Sequence, residues 1–231
     1  MLSLNGISKR YNRLEVMREF SIGFQPGRVH CLFGPSGCGK TTLLHLLAGL
    51  TEPDGGELQG VREESFSFVF QEHRLLPWLN VQENIRLVLE SAMPRKEADS
   101  LALRELERVE LAEFALAYPD ELSGGMKQRV SIARALAYGG SVLLLDEPFK
   151  GLHHALKQTL FRQVLEYGDK GSRTILLVTH DPDEALQLAD TVHVLAGPPL
   201  SIVRQFAIDI PRDQRQSEPE RLQQYRAALM G

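Results

Sequence analysis

The chain has 231 residues, 43% hydrophobic and 24% charged, which suits one large α/β domain with a full core and excludes two equal domains. Its 26 Lys and Arg against 30 Asp and Glu leave a formal net charge of -4, so it carries no general field for gathering nucleic acid or an anionic bilayer. Any membrane role must therefore run through a protein partner: apolar runs such as Val142–Leu145 and Ile175–Val178 are far too short to cross a bilayer.

In chain order, residues 1–33 alternate strand-like runs with turns such as Gln25-Pro26-Gly27, the pattern of a small antiparallel sheet. No apolar segment follows Lys9, Arg10 and Arg13, so no secretory signal is expected at this end. Val29–Phe33 reads as a strand and Thr42–Ala48 as a helix. Between them stands Gly34-Pro35-Ser36-Gly37-Cys38-Gly39-Lys40-Thr41-Thr42, the Gly-x-x-x-x-Gly-Lys-Thr spacing of a phosphate-cradling loop at a strand-to-helix turn. Amides at a helix N-terminus lack internal partners and carry partial positive charge, so they wrap phosphate oxygens where side chains leave room. Gly34, Gly37 and Gly39 supply that room, Lys40 faces the β- and γ-phosphates, Thr41 completes a Mg²⁺ shell, and Thr42 bonds the α-phosphate side. Cys31 and Cys38 fit reduced cytosolic thiols, and Cys38, beside the phosphates, is expected to react with alkylating agents unless nucleotide is bound.

Thr51–Glu57 reads as a turn cluster and Ser65–Phe70 as a strand ending at Gln71. Residues 81–116 are mostly helix formers with apolar positions at helical spacing, and a helical subdomain over about 72–138 is expected. Ser123 is a good N-cap, and with Gly124 and Gly125 it opens a further helix to about Tyr138, a second anion-seeking helix start. Ser141–Asp146 and Arg173–Thr179 read as strands, each followed by a helix, over Ala155–Gly168 and Asp183–Asp190. The tail holds a helix start at Ser217-Glu218-Pro219-Glu220, and the helical tail spans about 217–231. Strands alternating with helices imply a mixed, mainly parallel sheet with covered faces and ligands at the carboxyl ends of strands.

The run Val142–Leu145 ends in Asp146-Glu147, two carboxylates that need a cation or proton to relieve desolvation. Asp146 suits the metal shell, and Glu147 the general base that polarises an attacking water. A single γ-phosphate is not readily reached by both helix starts within one fold, whereas a two-fold dimer sandwiches two nucleotides between opposite motifs.

With Tyr11, the phosphate loop, Gln71, Leu122-Ser123-Gly124-Gly125, Asp146-Glu147 and His180 in this order, the chain resembles the ATPase subunit of an ATP-binding cassette (ABC) transporter over nearly its whole length. That resemblance implies a P-loop NTPase core with an antiparallel β subdomain and an inserted helical subdomain, as one domain over 1–231, with ATP and Mg²⁺ bound. It implies that Tyr11 stacks on adenine, that Gln71 contacts the metal and attacking water, and that His180 lies near the γ-phosphate. It further implies a second copy or a paralogue as dimer partner, permease subunits docked over residues 71–78, an extracytoplasmic substrate-binding protein, and a place at the cytoplasmic face of the membrane. Leu75, Leu76 and Trp78 either hold a permease helix or belong to the subdomain core. The Leu75–Trp78 patch and residues 203–212 are similar to importers of the nitrate, sulfonate and taurine group.

The chain departs from the family where Phe-Ser-Ala-Leu-Asp is usual, since it has Phe149-Lys150-Gly151-Leu152-His153. His153 replaces an acid that contacts the opposite phosphate loop, so altered coupling or pH response is expected while hydrolysis survives. Three rivals stand beside the importer: an exporter ATPase, a soluble cassette ATPase and a catalytically silent nucleotide-binding module. Glu147 and His180 argue against the last, and the lack of tandem cassettes or a long coiled-coil insertion against the soluble form.

Overall fold

The computed structural model describes residues 1–169, 173–215 and 217–230; Gly231, the last residue of the expected tail, lies outside them. β1 (Leu2–Tyr11) and β2 (Leu14–Phe24) form an antiparallel hairpin whose turn places Asn12 at φ 54, a left-handed conformation that Asn tolerates. β3 (Val29–Phe33) is buried along its whole length and feeds the phosphate loop and α1 (Lys40–Leu47). The expected turn cluster needs correction at its end, because β4 (Gly55–Gln59) begins inside it and pairs with β1. Two glycines disguise this strand: Gly56 takes φ 89 in a tight approach to the Gly6 carbonyl that leaves no room for a Cβ.

The expected helical stretch is interrupted. After β5 (Phe66–Val69), α2 (Val81–Arg86) and α3 (Arg95–Arg108) are separate helices, the second entered through Pro94 as its N-cap. α4 (Gly124–Tyr138) starts at Ser123 as expected and stops at Gly139 in the left-handed region. β6 (Val142–Asp146), α5 (His154–Asp169), β7 (Thr174–Thr179) and α6 (Pro182–Leu188) follow. β8 (Thr191–Ala196) and β9 (Ser201–Ala207), which local pattern did not reveal as strands, close the main sheet before α7 (Pro219–Met230).

The sheets run β2-β1-β4 and β5-β6-β7-β3-β8-β9. All pairings of the larger one are parallel except β8 with β9. Alternate residues of the buried strands serve opposite faces. Leu143, Leu145, Ile175 and Leu177 pack against the side of α4 and α5, while Leu144, Leu176 and Val178 pack against α1 and the antiparallel sheet. Each such leucine contributes about 1.5–3 kcal/mol by burial. Both faces being covered, the carboxyl ends of β3, β6 and β7 are where side chains and backbone amides can meet a ligand.

A buried histidine pair joins β3 to β8. His30 Nε2 lies 3.0 Å from the Gln25 carbonyl and must donate to it, so its Nδ1 accepts from His193 Nε2 at 3.3 Å. This leaves His193 Nδ1 buried without a partner, and burial, with His30 adding to it, drives its pKa from the ordinary 6.5 to about 4. The folded value lies below the unfolded one, so the unfolded chain binds the proton first and stability falls as pH drops from about 6.5 towards 4. The urea midpoint is expected to fall over this range by the equivalent of about 3 kcal/mol, with a shallower fall in His193→Gln.

Candidate functional site

The carboxyl ends of these strands surround a cleft of about 280 Å³. It is lined by Tyr11, Ser36, Gly37, Gly39, Lys40, Thr41, Thr42, Gln71, Asp146, Glu147 and Val178, so five separated stretches of sequence converge. The loop owes its path to glycine: Gly37 and Gly39 take φ 81 and 119, and a Cβ on Gly34 would stand 2.4 Å from the Leu195 carbonyl oxygen. Lys40 is 5% exposed, and its ammonium donates to the carbonyls of Gly34 and Pro35, each at 2.7 Å. Gly34, Pro35 and Cys38 thus shape the loop without lining the cleft.

Cys38 requires a correction. Its thiol is 0% exposed and packs into the core beneath the loop, because the turn sends the side chain inward and only its amide can serve phosphate. Native protein is therefore expected to resist alkylation at Cys38 with or without ATP, and protein in urea to label rapidly.

Thr41 Oγ1 donates to Asp146 Oδ2 at 2.7 Å, and the Asp146 side chain is almost wholly removed from water. Burial pushes its carboxyl above the usual range, more than the Thr41 hydrogen bond lowers it. A hydroxyl and a carboxylate in contact, with the carboxylate short of counter-charge, fit a Mg²⁺ shell completed by phosphate oxygens and water. Among the described residues no group of three or more His, Cys, Asp or Glu forms a self-sufficient metal site. Gln71, two residues past β5, lines the same cleft.

Glu147 sits at φ 47, and its amide donates to the Val178 carbonyl at 3.0 Å. A glutamate there stores about 1–3 kcal/mol of backbone strain, which turns its side chain into the cleft directly after Asp146. His180, following β7, donates from Nδ1 to Glu147 Oε1 at 3.2 Å, and Lys150 Nζ lies 3.2 Å from Oε2 as an ion pair without hydrogen-bond alignment. Burial raises the Glu147 carboxyl, but these two neighbours outweigh it and hold the group below the ordinary carboxylate range. His180 is about half exposed and reaches the cleft only through Glu147.

Ser123 N-caps α4 by accepting from the Met126 amide at 3.3 Å, and Ser123 and Gly124 are exposed. None of Ser123, Gly124 and Gly125 lines the cleft.

Sequence reading missed several contributors. Leu14 and Val16 on β2 widen the apolar wall beside Tyr11, which pairing with β1 arranges. Lys150 is visible only as a charge three residues after Glu147, and nothing in the spacing shows that the turn folds it back. His153 proves to cap α5: its Nδ1 accepts from the Leu156 amide at 3.5 Å and its carbonyl from the Lys157 amide at 3.1 Å.

The ABC transporter family model matches residues 17–150. The chain belongs to the ABC transporter family. It is similar to an aliphatic sulfonates import ATP-binding protein of Pseudomonas savastanoi pv. phaseolicola, 42% identical over 87% of this chain and 83% of that one. A nitrate import ATP-binding protein of Synechococcus elongatus is 39% identical over 85% of this chain and 75% of its own. Among solved structures, a dimeric post-hydrolysis state of an ATP-binding cassette bound to ADP and Pi superposes with a TM-score of 0.83. It shares 27% identity and covers 91% of this chain and 100% of its own. As an ABC cassette this protein is an ATPase: it binds ATP with Mg²⁺ and hydrolyses it to power an ABC transporter.

Proposed function

We propose that this chain drives a solute importer by closing head to tail with a second copy or a paralogue around two Mg-ATP molecules. Lys40 and the loop amides from Ser36 to Thr42 hold the phosphate charge, and Tyr11 with Leu14 and Val16 forms the wall for adenine. Thr41, Asp146 and Gln71 would hold Mg²⁺, which when bound would neutralise charge developing on the phosphates. Glu147 orients the attacking water and takes its proton, and His180 holds that carboxylate in place.

The observation that carries the dimer is the outward-facing helix start of α4. Its exposed amides lie outside their own chain's cleft, which leaves the γ-phosphate of a facing chain as the anion they suit. Gly124 gives a direct test, since a Cβ there meets nothing within 4 Å and a carboxylate in a helix's first turn is well tolerated by the monomer. Glu147→Gln protein in Mg-ATP is expected to double its mass by light scattering. Adding Gly124→Asp should return it to the monomer with an unchanged melting temperature. Monomeric Glu147→Gln protein at saturating Mg-ATP overturns the sandwich.

No helix among the described residues is long and apolar enough to cross a membrane, so attachment at the cytoplasmic face would come through permease subunits. An apolar groove of about 340 Å³ suits that contact: Phe66, Phe68 and Phe70 form its floor, with Leu87, Arg134 and Tyr138 around it. Arg74, from the expected docking segment, stacks 4.0 Å over Phe70 and lines the groove. Of the open alternatives, Leu75 packs against the helical core while Trp78 is 69% exposed. The Leu75–Trp78 patch and residues 203–212, together with the sulfonate and nitrate relatives, favour a solute of the nitrate, sulfonate or taurine kind delivered by an extracytoplasmic binding protein. Uptake of labelled taurine or nitrate by vesicles holding the assembled transporter would identify it.

A further inference from the structure

Outside the cleft, a largely buried ionic network occupies the seam between α5 and α6. Lys157, in the first turn of α5, places Nζ 3.0 Å from Asp181 Oδ2 and 2.7 Å from Glu184 Oε1. The Glu184 side chain is 4% exposed, and its second oxygen accepts the Thr179 hydroxyl at 2.6 Å. Thr179 Oγ1 in turn accepts the Asp181 amide at 3.0 Å, and Asp181 Oδ1 accepts the Asp183 amide at 2.9 Å to start α6. His180 stands between Thr179 and Asp181, so both of its neighbours are tied into this network while its ring reaches Glu147.

We propose that Lys157 is a positioning residue for ATP hydrolysis, which fixes through Asp181, Glu184 and Thr179 the turn that presents His180 to Glu147. The inference rests on the roles given above to His180 and Glu147. Among the described residues Lys157 is the one cation joined to both acids, and it lies outside the nucleotide cleft. Without it, the buried Glu184 must take up a proton or swing towards water, and either response loosens Thr179 and Asp181 together. The phosphate loop and Tyr11 sit on other elements, so ATP binding should be spared. A displacement of order 1 Å at the reacting groups costs up to about 100-fold in rate.

The test uses the full chain and steady-state phosphate release. Lys157→Met is expected to lower kcat about tenfold with KM for ATP within about twofold, and Lys157→Arg, which can reach both acids, to recover most of the loss. In a His180→Ala background, Lys157→Met should cost nothing further, which a merely structural lysine would not produce. Should Lys157→Met fold poorly, Lys157→Met/Glu184→Gln removes the lone buried charge while keeping an acceptor for Thr179, and the same loss of kcat is expected. An unchanged kcat, or equal losses from Lys157→Met with and without His180, overturns the proposal while leaving the cleft reading intact. If His180→Ala itself hydrolyses ATP at the wild-type rate, the role of His180 falls and this inference falls with it.

Discussion

Glu147→Gln is expected to bind Mg-ATP as the parent does and to release phosphate about 100- to 10,000-fold more slowly. The substitution keeps the size of the side chain and leaves the backbone at φ 47 to be held, as before, by the bond to the Val178 carbonyl. What is lost is the negative oxygen pair that Lys150 and His180 hold ionised. An amide can neither take the proton of an attacking water nor pair with Lys150. Parallel measurement of nucleotide affinity and phosphate release separates the two roles. Turnover within about tenfold of the parent would place the general base on another residue.

Asp146→Asn is expected to act in opposite directions on stability and activity. The Asp146 carboxyl is buried with its pKa raised, so its charged form costs the nucleotide-free protein stability above that pKa and the cost disappears in acid. Asparagine removes the charge and still accepts the Thr41 hydroxyl, so the metal-free melting temperature should rise; about 1 kcal/mol corresponds to about 2–4 °C for a domain of this size. Hydrolysis should fall by at least about 100-fold, because Thr41 and Gln71 remain without an anionic partner for Mg²⁺. A calorimetric scan without nucleotide and a phosphate-release assay check the two halves. A lowered melting temperature would show that the carboxylate stabilises the empty protein instead of straining it.

The pairing of Thr41 with Asp146 shows how far sequence reading reaches. The loop spacing and the apolar strand ending in two acids each name their chemistry, yet 105 residues separate the two partners and the 2.7 Å contact exists only because β3 and β6 flank β7 in parallel register. Cys38 shows the opposite limit: the spacing places it in the glycine loop, but the direction of its side chain follows from the turn geometry of Gly37 and Gly39.

By itself, the sequence determined the phosphate loop, the Ser123 helix start, the buried strands 142–146 and 174–179 and the order of motifs, because glycine spacing, capping residues and apolar periodicity act over a few neighbours. Tertiary structure decided the remainder. It pairs the glycine-broken β4 with β1, adds β8 and β9 at one edge, folds Lys150 back on Glu147 and ties Lys157 to both acids of the His180 turn. These contacts join residues whose local preferences say nothing of each other, and only burial of the two faces of the sheet brings them within reach.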